Sequence, residues 1–357
     1  MMARRVWWSA ALTSRLRRVA VPVVAAVIGV LALSVPAVAA AQKTPGPAAP
    51  KVIATIPLDS ACGVAVSPVN GDIYATGYGG VTVINPRTDK VITTVRINGD
   101  ACNVEVSPLT GDIYAVGGGP VTENDSVWVI SGRTNKVIAT IHPKQSGEDA
   151  VAISPRTGDV YLLHGRANSV SVISGKTSKA IATIPLKDGS RVPYTLTVSP
   201  VTGEVYVLSD GYPGHPGGTF LSVISGKTSK IIATATLYSA GALGGIAVNP
   251  KTGNVYLAND YASHIWELSG KTNKVISMPK LPKAAIVAAV AIDPLNGDIY
   301  TTGDDAVVVF SGQTGKVIAT VPVTKLTQQY WGLAASPKTG DAYVTNYWDA
   351  SLDVISG

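Results

Sequence analysis

An eleven-residue phrase recurs seven times along this chain and constrains its fold more than any other feature. The first copy reads VAVSPVNGDIY at residues 64–74, and each later copy also ends in a tyrosine. These tyrosines lie 40 to 50 residues apart, at Tyr74, Tyr114, Tyr161, Tyr206, Tyr256, Tyr300 and Tyr343. A period of this length is typical of the blades of a β-propeller. The repeat fills residues 51–357, so we expect one domain there.

A second phrase lies between successive tyrosines and completes the repeat. It reads SGRTNKVIAT from Ser131, and close copies begin at Ser174, Ser225, Ser269 and Ser311. Alternating β-branched residues, broken by Gly, Pro and Asn about every 8–12 residues, indicate four antiparallel strands per repeat. The sequence therefore predicts an all-β fold, a seven-bladed β-propeller with four antiparallel strands in each blade.

The two ends of the repeated region are incomplete in complementary ways, which predicts how the ring closes. The last copy stops at residues 352–357 after three strands, whereas residues 52–56 form a fourth strand with no blade of its own. If this N-terminal strand completes the last blade, the ring closes and its open edges disappear.

The chain begins with a segment that is typical of an export signal. Five arginines precede an apolar run at 19–38, and small residues follow as far as Ala41. We predict a signal peptide over 1–41, a flexible lead-in over 42–50, and a secreted, extracellular or cell-surface protein without a membrane span after cleavage. An uncleaved anchor is the alternative, because the apolar run is about long enough to cross a bilayer. The pair Arg17-Arg18 leaves both the general secretory and the twin-arginine routes open.

The basic character of the chain resides in this leader. The whole chain carries a formal charge of +6, and loss of the five leader arginines leaves +1. A nearly neutral domain does not favour nucleic-acid binding.

The residues that close the repeats carry a family resemblance. Residues 343–346 read YVTN, residues 256–259 read the near copy YLAN, and the copies at Tyr114 and Tyr161 depart from the motif. Over residues 51–357 the chain resembles the YVTN-repeat β-propeller family of exported and surface-layer proteins. The resemblance implies the fold and a binding or surface role, and it supplies no shared catalytic motif.

The two ends of the blades are predicted to differ in character. The turns between strands 1 and 2 and between strands 3 and 4 share one end, here called the turn face, with fourteen basic and eight acidic residues. These are either solvated turn residues or a ring that attracts polyanions such as anionic cell-wall polymers or lipid headgroups.

The opposite end, here called the loop face, carries the residues that differ between copies. All four histidines and the seven tyrosines outside the repeated position are assigned to its loops, where acids outnumber bases by twelve to eight. Such a surface suits a sugar, a cationic small molecule or a protein loop. The ligand-binding candidates are Tyr78, Asp149, Tyr194, Tyr212, His215, Tyr261, His264, Tyr330, Trp331, Tyr347 and Trp348. The alternative is that the rings plug the mouth of the central channel.

The only two cysteines, Cys62 and Cys102, hold the same register in adjacent repeats. Because inner strands of neighbouring blades crowd together near the axis, the usual Cα separation of about 4.4–6.8 Å is within reach. We predict a disulfide, with two buried free thiols as the alternative.

Glu105 stands where the other copies carry Ala or, once, Thr. A carboxylate at an inter-blade position must be paired or protonated, so it either bonds a backbone donor or Asn103, or acts as a metal ligand or general base. By likeness to propeller lactonases, a calcium site would use Asn103, Glu105, Glu148, Asp149 and Asp304.

The sequence therefore predicts an exported, monomeric binding protein that recognises a small ligand, a glycan or a protein partner through the loop face. We expect no cofactor apart from this calcium alternative. The other functions left open are a lactonase- or lyase-like propeller enzyme acting at the channel mouth, and a structural cell-surface protein that uses the turn face.

Overall fold

A computed structural model describes residues 49–117, 126–143, 148–186, 192–210, 219–237, 243–259, 263–282, 287–303, 305–323 and 332–357. The predicted signal peptide and all but the last two residues of the lead-in lie outside these ranges. Within them the chain forms β-strands and no helix, so none has the length and apolar character needed to cross a membrane.

The strands group into seven antiparallel sheets, one for each copy of the repeat. Blade 1 contains β2 (Val64–Val66), β3 (Ile73–Asn85) and β4 (Lys90–Asp100). Blade 2 contains β5 (Asn103–Val106), β6 (Ile113–Gly117), β7 (Ser126–Ser131) and β8 (Lys136–Ile141). Blade 3 contains β9 (Glu148–Ile153), β10 (Val160–His164), β11 (Ser169–Ile173) and β12 (Ala180–Pro185). Blade 4 contains β13 (Val192–Val198), β14 (Val205–Asp210), β15 (Thr219–Ser225) and β16 (Lys230–Leu237).

Blade 5 contains β17 (Leu243–Val248), β18 (Val255–Asn259), β19 (His264–Leu268) and β20 (Val275–Ser277). Blade 6 contains β21 (Val290–Ile292), β22 (Ile299–Thr302), β23 (Ala306–Phe310) and β24 (Val317–Pro322). Blade 7 contains β25 (Leu333–Ala335), β26 (Ala342–Asn346), β27 (Ser351–Ile355) and the N-terminal β1 (Val52–Pro57). The prediction of a seven-bladed propeller is confirmed.

Blade 1 differs in that its second and third strands fall within the single range of β3. The first part of β3 pairs with β2, as Ala75 does with Val64, and the last part pairs with β4, as Val83 does with Thr93. Tyr78 already pairs with Asp100 of β4, and Gly79, at the irregularity that follows, has a φ of +68°. The blade therefore keeps the four-stranded plan of its neighbours.

The ring closes in blade 7 as the phase of the repeat predicts. β1 pairs antiparallel with β27, with Ile56 opposite Leu352, and the hydroxyl of Thr55 donates to Asp353 Oδ1 at 2.5 Å. At the axis, the inner strand of each blade contacts that of the next blade, and β25 contacts β2. A chain that closes in this way leaves no blade without a neighbour on either side.

The repeated tyrosines are core residues. Tyr74, Tyr161, Tyr206, Tyr300 and Tyr343 are among the largest fully buried side chains, and Tyr256 and Tyr114 are also buried. The core lies between blades, because each apolar cluster joins side chains from two neighbours. Burial is the main cause that raises the pKa of the Tyr343 hydroxyl, to about 12. These tyrosines belong to the scaffold.

The two repeated phrases meet at the turn face, which explains why both are copied. In blade 3 a Cβ on Gly175 would lie 2.1 Å from the carbonyl oxygen of Gly158, so no larger residue fits there. Asp159 Oδ1 accepts the Gly175 N–H at 3.1 Å. The Ser-Gly turn of strands 3 and 4 is therefore held against the Thr-Gly turn of strands 1 and 2.

Candidate functional site

Three aromatic side chains form a cluster on the loop face, here called the aromatic corner: exposed Tyr78, half-buried Tyr347 and exposed Trp348. The ring centroids of Tyr78 and Tyr347 are 6.0 Å apart with the planes at 62°, and those of Tyr347 and Trp348 are 5.5 Å apart at 81°. Tyr78 is 62% exposed and Trp348 is 64% exposed. The corner thus joins blades 1 and 7 and presents steeply inclined ring faces to solvent.

A tight turn between β26 and β27 fixes two of the three rings. Asn346, which ends the YVTN motif, is buried, and its Nδ2 donates to Asp349 Oδ2 at 2.9 Å. The Asp349 N–H donates back to Asn346 Oδ1 at 3.2 Å. This reciprocal pair fixes the start of the four-residue turn 347–350, so Tyr347 and Trp348, its first two residues, have little backbone freedom.

Tyr78 is held from the side of blade 1. Its backbone N–H donates to Ser60 Oγ at 2.8 Å, and the N–H of Gly79 donates to Asp100 Oδ1 at 3.2 Å. The hydroxyls of Tyr78 and Tyr347 are hydrogen-bonded to each other across the blade boundary. The corner is consequently braced by backbone contacts on both sides before any ligand arrives.

The corner lies in an acidic surrounding. Asp59 and Asp349 are exposed and Asp100 is half-buried, and all three adjoin residues that hold the corner. The pKa of the Tyr78 hydroxyl is raised, first by its hydrogen bond to Tyr347 and further by burial and by the negative charge of Asp100. One base, Arg96, is exposed on β4 opposite Gly80. Negative charge therefore predominates around the rings.

Tyr194 and His164 are among the residues that were assigned to loops but lie in strands. Tyr194 belongs to β13, beside an irregularity between Pro193 and Thr195, and its ring packs half-buried against the core between blades 4 and 5. His164 belongs to β10, is fully buried, and its Nε2 lies 2.7 Å from Ser171 Oγ. Their placement in loops was wrong because these strands run further toward the loop face than the alternating pattern indicates.

The structure describes only some of the remaining ligand-binding candidates. His264 begins β19, is half-buried, and its backbone forms an isolated antiparallel β-bridge with Lys280. Asp149 lies on β9, where the structure describes its backbone alone. Five candidates lie outside the described residues: Tyr212, His215, Tyr261, Tyr330 and Trp331.

The predicted disulfide between Cys62 and Cys102 is confirmed. Their Cα atoms are 4.9 Å apart, and the bond joins the segment before β2 to the segment before β5. The blades crowd closely here, since a Cβ on Gly63 would lie 2.5 Å from the Cys102 carbonyl oxygen. A disulfide is characteristic of proteins outside the reducing cytosol.

Glu105 lies on β5 opposite Tyr114 and is half-buried. Burial raises the pKa of its carboxyl to about 7. Asn103 lies two residues earlier on the same strand, and thus on the same side of it. Among the described side chains no group of three or more His, Cys, Asp or Glu is gathered as a metal ion would need. Asp304 and the side chains of Glu148 and Asp149 lie outside that description.

The turn face displays its basic residues, and some of them also join blades. Arg156 donates to the Thr202 carbonyl oxygen at 3.0 Å, and Lys338 donates to that of Val69 at 2.7 Å across the ring closure. Lys251 reaches the Leu295 carbonyl in the same way. The bases of the turns between strands 3 and 4 are all exposed: Arg87, Lys90, Arg133, Lys136, Lys176, Lys179, Lys227, Lys230, Lys271, Lys274 and Lys316.

Comparison with known proteins identifies the fold alone. No family model and no curated protein matches the sequence. A chain of Kuenenia stuttgartiensis hydrazine synthase is similar in structure, with a TM-score of 0.72 and 15% identity over 84% of this chain and 96% of that chain. At this identity the structural similarity supports the propeller fold of this chain and says nothing about its activity.

Proposed function

We propose that this chain is an exported binding protein of the YVTN-repeat type that recognises its ligand through the aromatic corner. One observation carries the proposal: Tyr78, Tyr347 and Trp348 come from two blades, yet their rings gather on one face, where Tyr78 and Trp348 are exposed and Tyr347 is half-buried. The repeated tyrosines, in contrast, are buried in the scaffold. Exposed, clustered aromatic rings are the usual anchors of a binding surface.

The bracing of the corner supports this function. Large rings that are fixed before binding lose little conformational entropy when a ligand arrives, which favours affinity. The contacts of Asn346 with Asp349 and of Tyr78 with Ser60 supply that rigidity. A rigid, exposed apolar group with carboxylates beside it suits a ligand that has both an apolar surface and polar groups.

The disulfide and the leader together support export. The bond between Cys62 and Cys102 is compatible with an oxidising compartment, and residues 1–41 have the layout of a signal peptide. We propose that the protein acts outside the cytosol as a monomer, secreted or retained at the cell surface.

A titration monitored by tryptophan fluorescence tests the proposal. The probes are cello-oligosaccharide as a neutral glycan, choline as an organic cation and citrate as an anion, added to the exported protein and to Trp348→Ala. Ile138→Ala is the matched control, because Ile138 is also exposed, at 57%, but lies on the outer strand β8. We expect at least one probe to bind the wild type and Ile138→Ala equally and Trp348→Ala more weakly. Absence of any probe binding that depends on Trp348 would contradict the proposal.

A further inference from the structure

We infer that the aromatic corner takes an organic cation of the quaternary-ammonium class. The inference rests on the proposed function and names the chemistry of the ligand. It is carried by the angles between the rings and by the sign of the charge around them.

The ring angles suit a compact, rounded group. The planes of Tyr78 and Tyr347 meet at 62° and those of Tyr347 and Trp348 at 81°, so neighbouring rings form walls rather than one flat platform. A cation gains most when it lies over ring faces within about 6 Å of their centroids. Two walls that meet at a steep angle let one small cation approach two faces, whereas a sugar ring stacks best on a single flat surface.

The charge around the corner favours the same class. Asp100 and Asp349 accept hydrogen bonds from the backbone of the corner and Asp59 precedes Ser60, whereas exposed Arg96 lies on β4 opposite Gly80. The carboxylates raise the local concentration of cations and repel anions.

The chemistry of the rings distinguishes among cations. The hydroxyls of Tyr78 and Tyr347 are already bonded to each other, so the rings offer mainly their faces. A primary ammonium carries three N–H donors, which the exposed carboxylates Asp59 and Asp349 satisfy without any contact with the ring faces. A quaternary ammonium has none, so contact with ring faces replaces its weak hydration at lower cost.

The decisive comparison is between choline and 3,3-dimethylbutan-1-ol, which has nearly the same shape but no charge. Both are titrated against the exported protein at constant ionic strength, with fluorescence and calorimetry as readouts. We expect choline to bind about tenfold more tightly than the neutral isostere, and Trp348→Ala to weaken choline about tenfold. Ile138→Ala is expected to bind choline as the wild type does.

The outcomes separate this inference from the proposed function. Equal affinity for choline and its isostere, or choline binding that is unchanged in Trp348→Ala, overturns the inference. If cello-oligosaccharide binds in a Trp348-dependent manner and choline does not, the inference fails while the proposed function stands. If none of the probes binds through Trp348, both fail.

Discussion

The carboxyl of Glu105 lies half-buried on β5 at a position where other blades carry alanine or threonine. We expect Glu105→Gln to remove a pH dependence from the stability of the propeller. Burial raises the pKa of this carboxyl from 4.5 to about 7 in the folded protein. Between these values the folded state keeps a proton that the unfolded state has released. The contribution of Glu105 to the free energy of unfolding is therefore fully present below pH 4.5. It falls as the pH rises above 4.5 and is lost once the pH passes about 7.

The size of the effect follows from this difference in pKa. Each unit is worth about 1.36 kcal/mol, so the two states differ by at most about 3 kcal/mol once the carboxyl is ionised in both. Because part of the Glu105 side chain reaches solvent, water screens the charge, and we expect about 1–2 kcal/mol. The glutamine variant keeps the shape of the side chain and carries no ionisable group.

Denaturant unfolding at pH 5 and pH 8 measures this difference. EDTA is present throughout, so that a bound metal ion does not contribute, and the disulfide is kept intact. We expect Glu105→Gln to match the wild type closely at pH 5 and to exceed its free energy of unfolding by about 1–2 kcal/mol at pH 8. If Glu105→Gln shows the same difference in unfolding free energy between pH 5 and pH 8 as the wild type, the assignment of Glu105 as a half-buried acid with a raised pKa is refuted.

Three further perturbations follow from the contacts above. Replacement of Cys62 and Cys102 by alanine removes a link between residues 40 apart and should lower the free energy of unfolding by about 3–4 kcal/mol, and an unchanged denaturation midpoint would contradict this. Gly175→Ala places a Cβ 2.1 Å from the Gly158 oxygen and should destabilise by more than about 2 kcal/mol in thermal unfolding, whereas exposed Lys176→Ala should cost less than about 0.5 kcal/mol. Glutamine at Lys136, Lys179 and Lys230 should reduce co-sedimentation with an anionic cell-wall polymer at low salt, and binding of the wild type that persists at about 1 M NaCl would argue against an electrostatic turn face.

The architecture was predictable because it depends on local patterns that are copied. The buried tyrosines, the turn glycines and the alternating strands each occur in every blade or nearly so, and their spacing is visible in one dimension. Closure by β1 followed from the phase of the two ends. The Cys62–Cys102 bond followed because equal registers in adjacent blades become neighbours at the axis.

The sequence predicted which face carries the candidate site, but not which residues of that face come into contact. Tyr78 and Tyr347 are 269 residues apart, and their contact exists only because the ring brings blade 7 beside blade 1. Ser60 accepts the Tyr78 N–H, but no motif or spacing in the sequence indicates this role. Tyr194 was misplaced because a strand irregularity extends β13 past the point where alternation stops. Long-range contacts and irregular strand ends of this kind leave no periodic trace in a sequence.

The most direct test of the account is to observe the aromatic corner while ligand binds. A protein that begins at residue 42 has four tryptophans, at positions 128, 266, 331 and 348, so labelling with 5-fluorotryptophan gives four fluorine resonances, and Trp348→Phe identifies one of them. On titration with choline, we expect the Trp348 resonance to shift and that of Trp128, which is buried between blades, to stay fixed. A Trp348 resonance that stays fixed while choline saturates the protein would contradict the claim that this corner is the binding site.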